Sequence, residues 1–206
     1  MAEVAKSRSQ AKDEVHRTVI FIDETAEEGT RIRGILETGD GHKGGKRDKL
    51  AMVERWPYGV VLAISPFNYP VNLAASKLAP ALIAGNTVVF KPATQGAICG
   101  LHIAEVFQKA GLPAGVLNVV TGRGGDIGDF LTSHPMVNCI NFTGSTAVGH
   151  QLALKAAAVP LLLEMGIYDN CFYIHDLLKG YEGVRGICWA AGCDDNGVIR
   201  RMIEPA

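Results

Sequence analysis

Between residues 58 and 164, short runs rich in β-branched and other apolar residues alternate with longer stretches of helical character. The runs are GVVLAIS (59–65), TVVFK (87–91), GVLNVV (115–120), VNCINF (137–142) and VPLLLE (159–164). None alternates apolar with polar residues, so each is expected to be covered on both faces, as in a parallel sheet. Between them NLAASKLAPALIAG, CGLHIAEVFQKAGLP, DIGDFLTSH and VGHQLALKAAA supply crossover helices, and Gly111 followed by Pro113 is a helix stop. The repetition predicts an α/β fold with a doubly wound, mostly parallel sheet and ligands at the carboxyl ends of its strands.

The flanks read differently. Val15, Val19, Ile22 and Ala26 recur at three- and four-residue steps within 13–33, which predicts an amphipathic helix with those residues facing inward. Gly34 and the segment GDGHKGG at 39–45 predict a turn or loop. After Gly166 there is no sustained period of either kind, and at most one weak strand at 171–174.

Composition narrows the function classes. Apolar residues make up 48% and charged residues 20%, which excludes a disordered polyelectrolyte. Twenty Lys and Arg against 21 Asp and Glu supply no sequence-wide attraction for nucleic acid or anionic lipid, so neither is an expected partner. The uncharged stretch 56–76 is long enough to span a bilayer. However, it carries Pro57, Pro66, Pro70, Asn68 and Asn72, which are incompatible with a lipid-buried helix. The N-terminus has no apolar signal region, so a cytoplasmic location is expected. Cys99, Cys139, Cys171, Cys188 and Cys193 show neither C-x-x-C spacing nor histidine pairing, so reduced thiols and no metal site are expected.

Polar groups gather at the strand ends. Asn68, between Pro66 and Pro70, is either an amide donor to a developing oxyanion or the stabiliser of a proline-rich turn, and spacing alone favours the turn. Lys91, followed by Thr94, is a point charge for a nucleotide's ribose or phosphate, or a surface lysine. Thr121 to Gly128 reads G-x-G-x-x-x-G and departs from the strict dinucleotide fingerprint, but its glycines permit close backbone approach to a ligand. The same residues also suit a tight strand-to-helix turn. Phe142-Thr143-Gly144-Ser145 opens a further helix on this edge. Glu164, closing an apolar strand, is a general base with a pKa raised by desolvation, or a solvated or ion-paired glutamate.

The segments PYGVVLAISPFNYPVNLAASKLAPALIAGNTVVFKPATQG, GLPAGVLNVVTGRGGDIGDFL and NFTGSTAVG resemble the aldehyde dehydrogenase superfamily, most of all its NADP-dependent non-phosphorylating glyceraldehyde-3-phosphate dehydrogenases. The resemblance runs from about residue 12 to about 166 and implies a Rossmann-like NADP-binding core over 58–166. That core would be preceded by a helix and loop over 1–57 and followed by a divergent tail over 167–206. It implies that Asn68 stabilises the oxyanion, Glu164 activates the deacylating water, and Tyr69 and Arg17 contact the aldehyde substrate. Ser65, Lys91, Thr94, Asp129, Gly144 and Ser145 would line the cofactor cleft. Thr94, where many NAD-using relatives carry glutamate, implies NADP, because a carboxylate there would repel the 2′-phosphate.

Two departures qualify these expectations. The family's E-L-G-G-K reads Glu164-Met165-Gly166-Ile167-Tyr168, and no G-Q-x-C motif supplies the nucleophilic cysteine. The chain therefore looks truncated at both ends relative to the family, whose full-length members are homo-oligomeric. The implied reaction is oxidation of D-glyceraldehyde 3-phosphate to 3-phosphoglycerate, a glycolytic conversion. The alternative is a catalytically inactive fragment, or a nucleotide-binding or interaction module, lacking the thiol. A substitute nucleophile at Cys188 or Cys193 is the least favoured expectation.

Overall fold

In the computed structural model of the chain, residues 2–156 and 159–165 are described, together with the backbone of 187–188. The chain opens with helix α1 (Arg8–Gly29), started by a capping box in which Ser7 accepts from Gln10 N and the Gln10 side chain accepts from Ser7 N. Strands β1 (Ile35–Thr38) and β2 (Leu50–Val53) then pair antiparallel as a separate ribbon. From there strands and helices alternate: β3 (Val60–Ile64), α2 (Asn72–Ile83), β4 (Thr87–Lys91), α3 (Ala97–Lys109), β5 (Leu117–Val119), α4 (Gly124–Thr132), β6 (Cys139–Gly144), α5 (Thr146–Lys155), β7 (Leu161–Met165) and β8 (Ile187–Cys188).

The main sheet has six strands in the order β5-β4-β3-β6-β7-β8, and all its pairings are parallel. Alternate residues divide the core in two. Val61, Ala63, Val88, Phe90 and Cys139 face α2 and α3, and Phe21 and Ile22 of α1 pack against this layer. Leu62, Ile140, Phe142 and Leu161 face the other way, with Leu152 and Ala156 of the α5 region and Leu131 of α4. Burial on both faces accounts for the unbroken apolar runs and establishes the doubly wound α/β architecture.

Three details differ from the sequence expectations. The first helix begins and ends earlier than 13–33, and its buried positions are Glu14 and Thr18, whereas Val15 and Val19 are half-exposed. The helix is rotated because Glu14 has a specific polar task on α2. Second, the loop expected before residue 58 contains the β1–β2 ribbon, whose residues are all exposed. Isolated short strands with no buried face leave little periodic signal. Third, β6 and β7 are displaced toward their carboxyl ends, which carries Thr143, Gly144 and Met165 into the ladder. The strand expected at 171–174 lies outside the described residues.

Candidate active site at the carboxyl edge of the sheet

The sheet grows outward from β3 in two directions. Through α2 and α3 the chain runs to β4 and β5 on one side, then returns to lay β6 and β7 on the other. The reversal between β3 and β6 is the topological switch point, the place at the carboxyl edge where doubly wound sheets take their ligands. Ile64 is in register with Lys91 on one side and Phe142 on the other, and Thr143 is in register with Glu164. The fold thus brings Ser65, Lys91, Gly144 and Glu164 to one edge, with Asn68 and Tyr69 just beyond β3.

Asn68 is exposed in the turn from β3 to α2. The backbone N–H of Tyr69 donates to Asn68 Oδ1 at 3.1 Å, leaving Nδ2 as the donor end, without an acceptor among the described residues. The Asn68 oxygen thus stabilises the turn, the alternative that spacing favoured, while its NH₂ group has no acceptor among the described residues.

Glu164 belongs to a network that sequence reasoning missed. Lys77 of α2, 3% exposed, donates from Nζ to Asn141 Oδ1 at 3.1 Å and to Thr143 Oγ1. Thr143 Oγ1 in turn donates to Glu164 Oε2 at 2.7 Å, and Lys77 Nζ lies 3.9 Å from the same oxygen. Burial pushes the Lys77 ammonium down to about 8, against the opposing pull of the Glu164 carboxylate. The signal was present in the sequence: Lys77 is the single charge in an otherwise uncharged helix, three residues after the buried Ala74 and beside the buried Leu78. The Glu164 side chain is 40% exposed.

The cofactor side has unfilled hydrogen-bonding capacity. Ser65 is 3% exposed, and its buried hydroxyl has no partner among the described residues. Lys91 is 6% exposed with no acceptor among the described residues, and burial lowers its pKa. Such groups call for a ligand. Thr94 Oγ1 donates to the Gly122 carbonyl at 3.3 Å, tying the turn after β4 to the turn before α4. Gly124, Gly125 and Gly128 border open space where side chains would stand, and α4 has no side-chain cap on its first N–H groups. Gly144 is obligatory for another reason, since a Cβ there would meet the Phe142 ring at 2.5 Å. Ser145 caps α5 by accepting from Val148 N. A ribose and phosphates fit these residues.

Asp129 is exposed on α4, and both its oxygens lie 2.7 Å from Lys155 Nζ, so its charge is already paired. Arg17 is exposed on α1, 3.8 Å from Asp13, and no interaction joins it to the sheet edge among the described residues. Cys139 starts β6 at the opposite edge of the sheet, and burial pushes its thiol up to about 11. Burial together with Glu3 pushes Cys99 up to about 11 as well. Neither has the thiolate character of a nucleophile. Cys171 and Cys193, and the side chain of Cys188, lie outside the described residues. Among the described residues there is no group of His, Cys, Asp and Glu suited to a metal ion, and no helix long and apolar enough to cross a membrane.

Comparison with known proteins matches this arrangement. Residues 1–179 match the aldehyde dehydrogenase family. An NADP-dependent glyceraldehyde-3-phosphate dehydrogenase of Streptococcus equinus is 52% identical over 174 residues, covering 84% of this chain and 37% of the relative. The enzyme of the same name from Triticum aestivum is 51% identical over 176 residues, covering 84% of this chain and 35% of its own length. The crystal structure of the Bacillus halodurans NADP-dependent glyceraldehyde-3-phosphate dehydrogenase, complexed with NADP, superposes with a TM-score of 0.77 at 55% identity. That superposition covers 80% of this chain and 34% of the other. A glyceraldehyde-3-phosphate dehydrogenase from Methanocaldococcus jannaschii, also complexed with NADP, superposes with a TM-score of 0.71 at 34% identity, over 79% of this chain and 35% of that one. The chain thus spans little more than a third of the length of these relatives. With its switch-point strand order and the family match over most of its length, the chain belongs to the aldehyde dehydrogenase family.

Proposed function

We propose that this chain forms the cofactor-binding portion of an NADP-dependent, non-phosphorylating glyceraldehyde-3-phosphate dehydrogenase. The observation that carries the proposal is the placement on one carboxyl edge of Asn68, the Lys77–Thr143–Glu164 network and Lys91, which has no acceptor among the described residues. In this role the Asn68 NH₂ group donates to the aldehyde oxygen as it gains negative charge. Glu164 takes a proton from the attacking water, and Thr143 and Lys77 hold the carboxylate in place. NADP, when bound, accepts the hydride. Lys91, Ser65 and Thr94 bind its ribose and 2′-phosphate, and Gly144 and Ser145 lie toward its nicotinamide side. Asp129, neutralised by Lys155, borders the same cleft without adding an unpaired negative charge. Tyr69 and Arg17 contact the substrate.

The identity of the aldehyde belongs to the same proposal, supported by the names of the relatives, as do a cytoplasmic location, a glycolytic role and homo-oligomeric assembly, which rest on the family resemblance alone. The reaction also needs a thiolate, which the two fully described cysteines do not supply.

Isothermal titration of the purified chain with NADP and with NAD tests the cofactor assignment. Tighter binding of NADP supports it, and heat release with neither nucleotide removes it. Incubation with D-glyceraldehyde 3-phosphate and NADP is expected to yield no NADPH. Steady production would show that the nucleophile lies among the cysteines of the tail.

A further inference from the structure

The turn carrying Asn68 is held from outside the sheet. Immediately after it, Val71 N and Asn72 N both donate to one buried oxygen, Glu14 Oε1 of α1, at 2.8 and 3.0 Å. Helix α2 has no capping side chain of its own, because the residue at its N-cap is Val71. The cap comes instead from a residue 57 positions earlier in the chain and only 3% exposed. The other Glu14 oxygen holds Lys6 Nζ, and that ammonium lies 3.5 Å from the centroid of the Tyr69 ring. Thr18, one turn along α1, accepts from Asn72 Nδ2 at 3.3 Å and donates to the Glu14 carbonyl at 2.7 Å.

A helix cap alone would need only the carboxylate. The lysine adds a contact to Tyr69, the residue whose backbone N–H holds Asn68 Oδ1. We infer that Lys6 and Glu14 are positioning residues for the oxyanion donor. Glu14 anchors the backbone on the α2 side of the turn. Lys6, charge-balanced by Glu14, anchors the Tyr69 ring, and the Tyr69 N–H then orients the Asn68 amide so that Nδ2 points to one place. Thr18 locks Glu14's own turn of α1 to the same helix end. The site therefore includes the first helix as well as the sheet edge. What Asn68 does with that orientation rests on the function proposed above, whereas the orientation itself does not.

The test is side-chain and backbone NMR of the full chain labelled with ¹⁵N, with the Asn68 NH₂ signal assigned by its loss in Asn68→Asp. Lys6→Met keeps the length of the stem and removes the charge. It is expected to broaden or split the Asn68 NH₂ and Tyr69 N–H signals while amide exchange at Phe90 and Ile140 stays unchanged. Glu14→Ala is expected to accelerate exchange at Val71 and Asn72 at least tenfold. Glu14→Gln, which keeps an acceptor oxygen, should restore that protection yet leave the Asn68 signal perturbed. Unchanged Asn68 and Tyr69 signals in Lys6→Met would overturn the inference. So would acceleration at Phe90 and Ile140 in step with Val71, which would mean that the pair merely supports the fold. Binding of NADP by the same samples, read separately by titration, reports on the function and not on this positioning.

Discussion

Lys77 shows how far a single buried residue can set local chemistry. Its folded pKa of about 8 lies below the ordinary lysine value of 10.5, so the unfolded chain holds its proton more tightly than the native one. A base with a depressed native pKa opposes folding fully below its native value and is released from that penalty above its unfolded value. The Lys77 contribution therefore makes stability rise between pH 8 and 10.5, by at most about 3 kcal/mol at roughly 1.4 kcal/mol per pKa unit. Urea unfolding of the native chain and of Lys77→Met at pH 8, 9 and 10 should show a slope in the first that is reduced in the second. Parallel curves would contradict the burial argument. Thr94 offers a second residue-scale test. In Thr94→Glu a carboxylate replaces a hydroxyl bonded to Gly122 O, and it should repel a 2′-phosphate by roughly 1–2 kcal/mol after screening. NADP affinity should fall about five- to thirtyfold while NAD affinity does not, measured by titration.

At the scale of elements, the site depends on how closely helices approach strand ends. Gly100 lets α3 lie against the turn that follows Lys91, since an added Cβ would stand 2.5 Å from Pro92 Cβ and 3.3 Å from the Phe90 ring. A proline ring next to a buried aromatic has little room to yield. Gly100→Ala should cost about 1–3 kcal/mol and displace Lys91, seen as a lower denaturation midpoint together with weaker nucleotide binding. A loss of stability with unchanged binding would separate α3 packing from the position of Lys91. Most of these elements were legible in the sequence. The β3–α2 and β4–α3 units follow from apolar runs of strand length, helical stretches of adequate length, and Gly–Pro stops. The orientation of α1 was not legible, because an inward glutamate that caps another helix runs against hydrophobic periodicity. The β1–β2 ribbon was hidden for the opposite reason: its apolar residues are exposed, so no alternation marks a buried face.

For the molecule as a whole, stability should be distributed unevenly. The main sheet buries Leu62, Phe90 and Ile140 completely, while Leu36, Leu50 and Met52 on the ribbon are each at least 65% exposed. A two-stranded ribbon without a packed face is marginal in water. Native-state hydrogen exchange should therefore find amides of β3, β4 and β6 protected to near the global unfolding limit and those of β1 and β2 exchanging orders of magnitude faster. Equal protection would show that the ribbon gains support from elsewhere in the chain.

The sequence by itself determined the class of the fold, because strands apolar on both faces and joined by amphipathic helices have few stable arrangements other than a covered parallel sheet. It also determined which residue types end the strands, and through FNYP, FKP and FTGS it pointed to a family. Only the tertiary structure decided the strand order β5-β4-β3-β6-β7, since pairing between distant strands leaves no local trace. That order places Asn68 between Lys91 on one side and Glu164 on the other and lets Lys77 of α2 reach Thr143 on β6, while the packing of α1 on α2 brings Lys6 and Glu14 to the Asn68 turn. Each of these brings together residues far apart in the chain. Hydrophobic periodicity reports which face of an element is buried, but hydrogen bonds between distant polar groups exist only once the elements are packed.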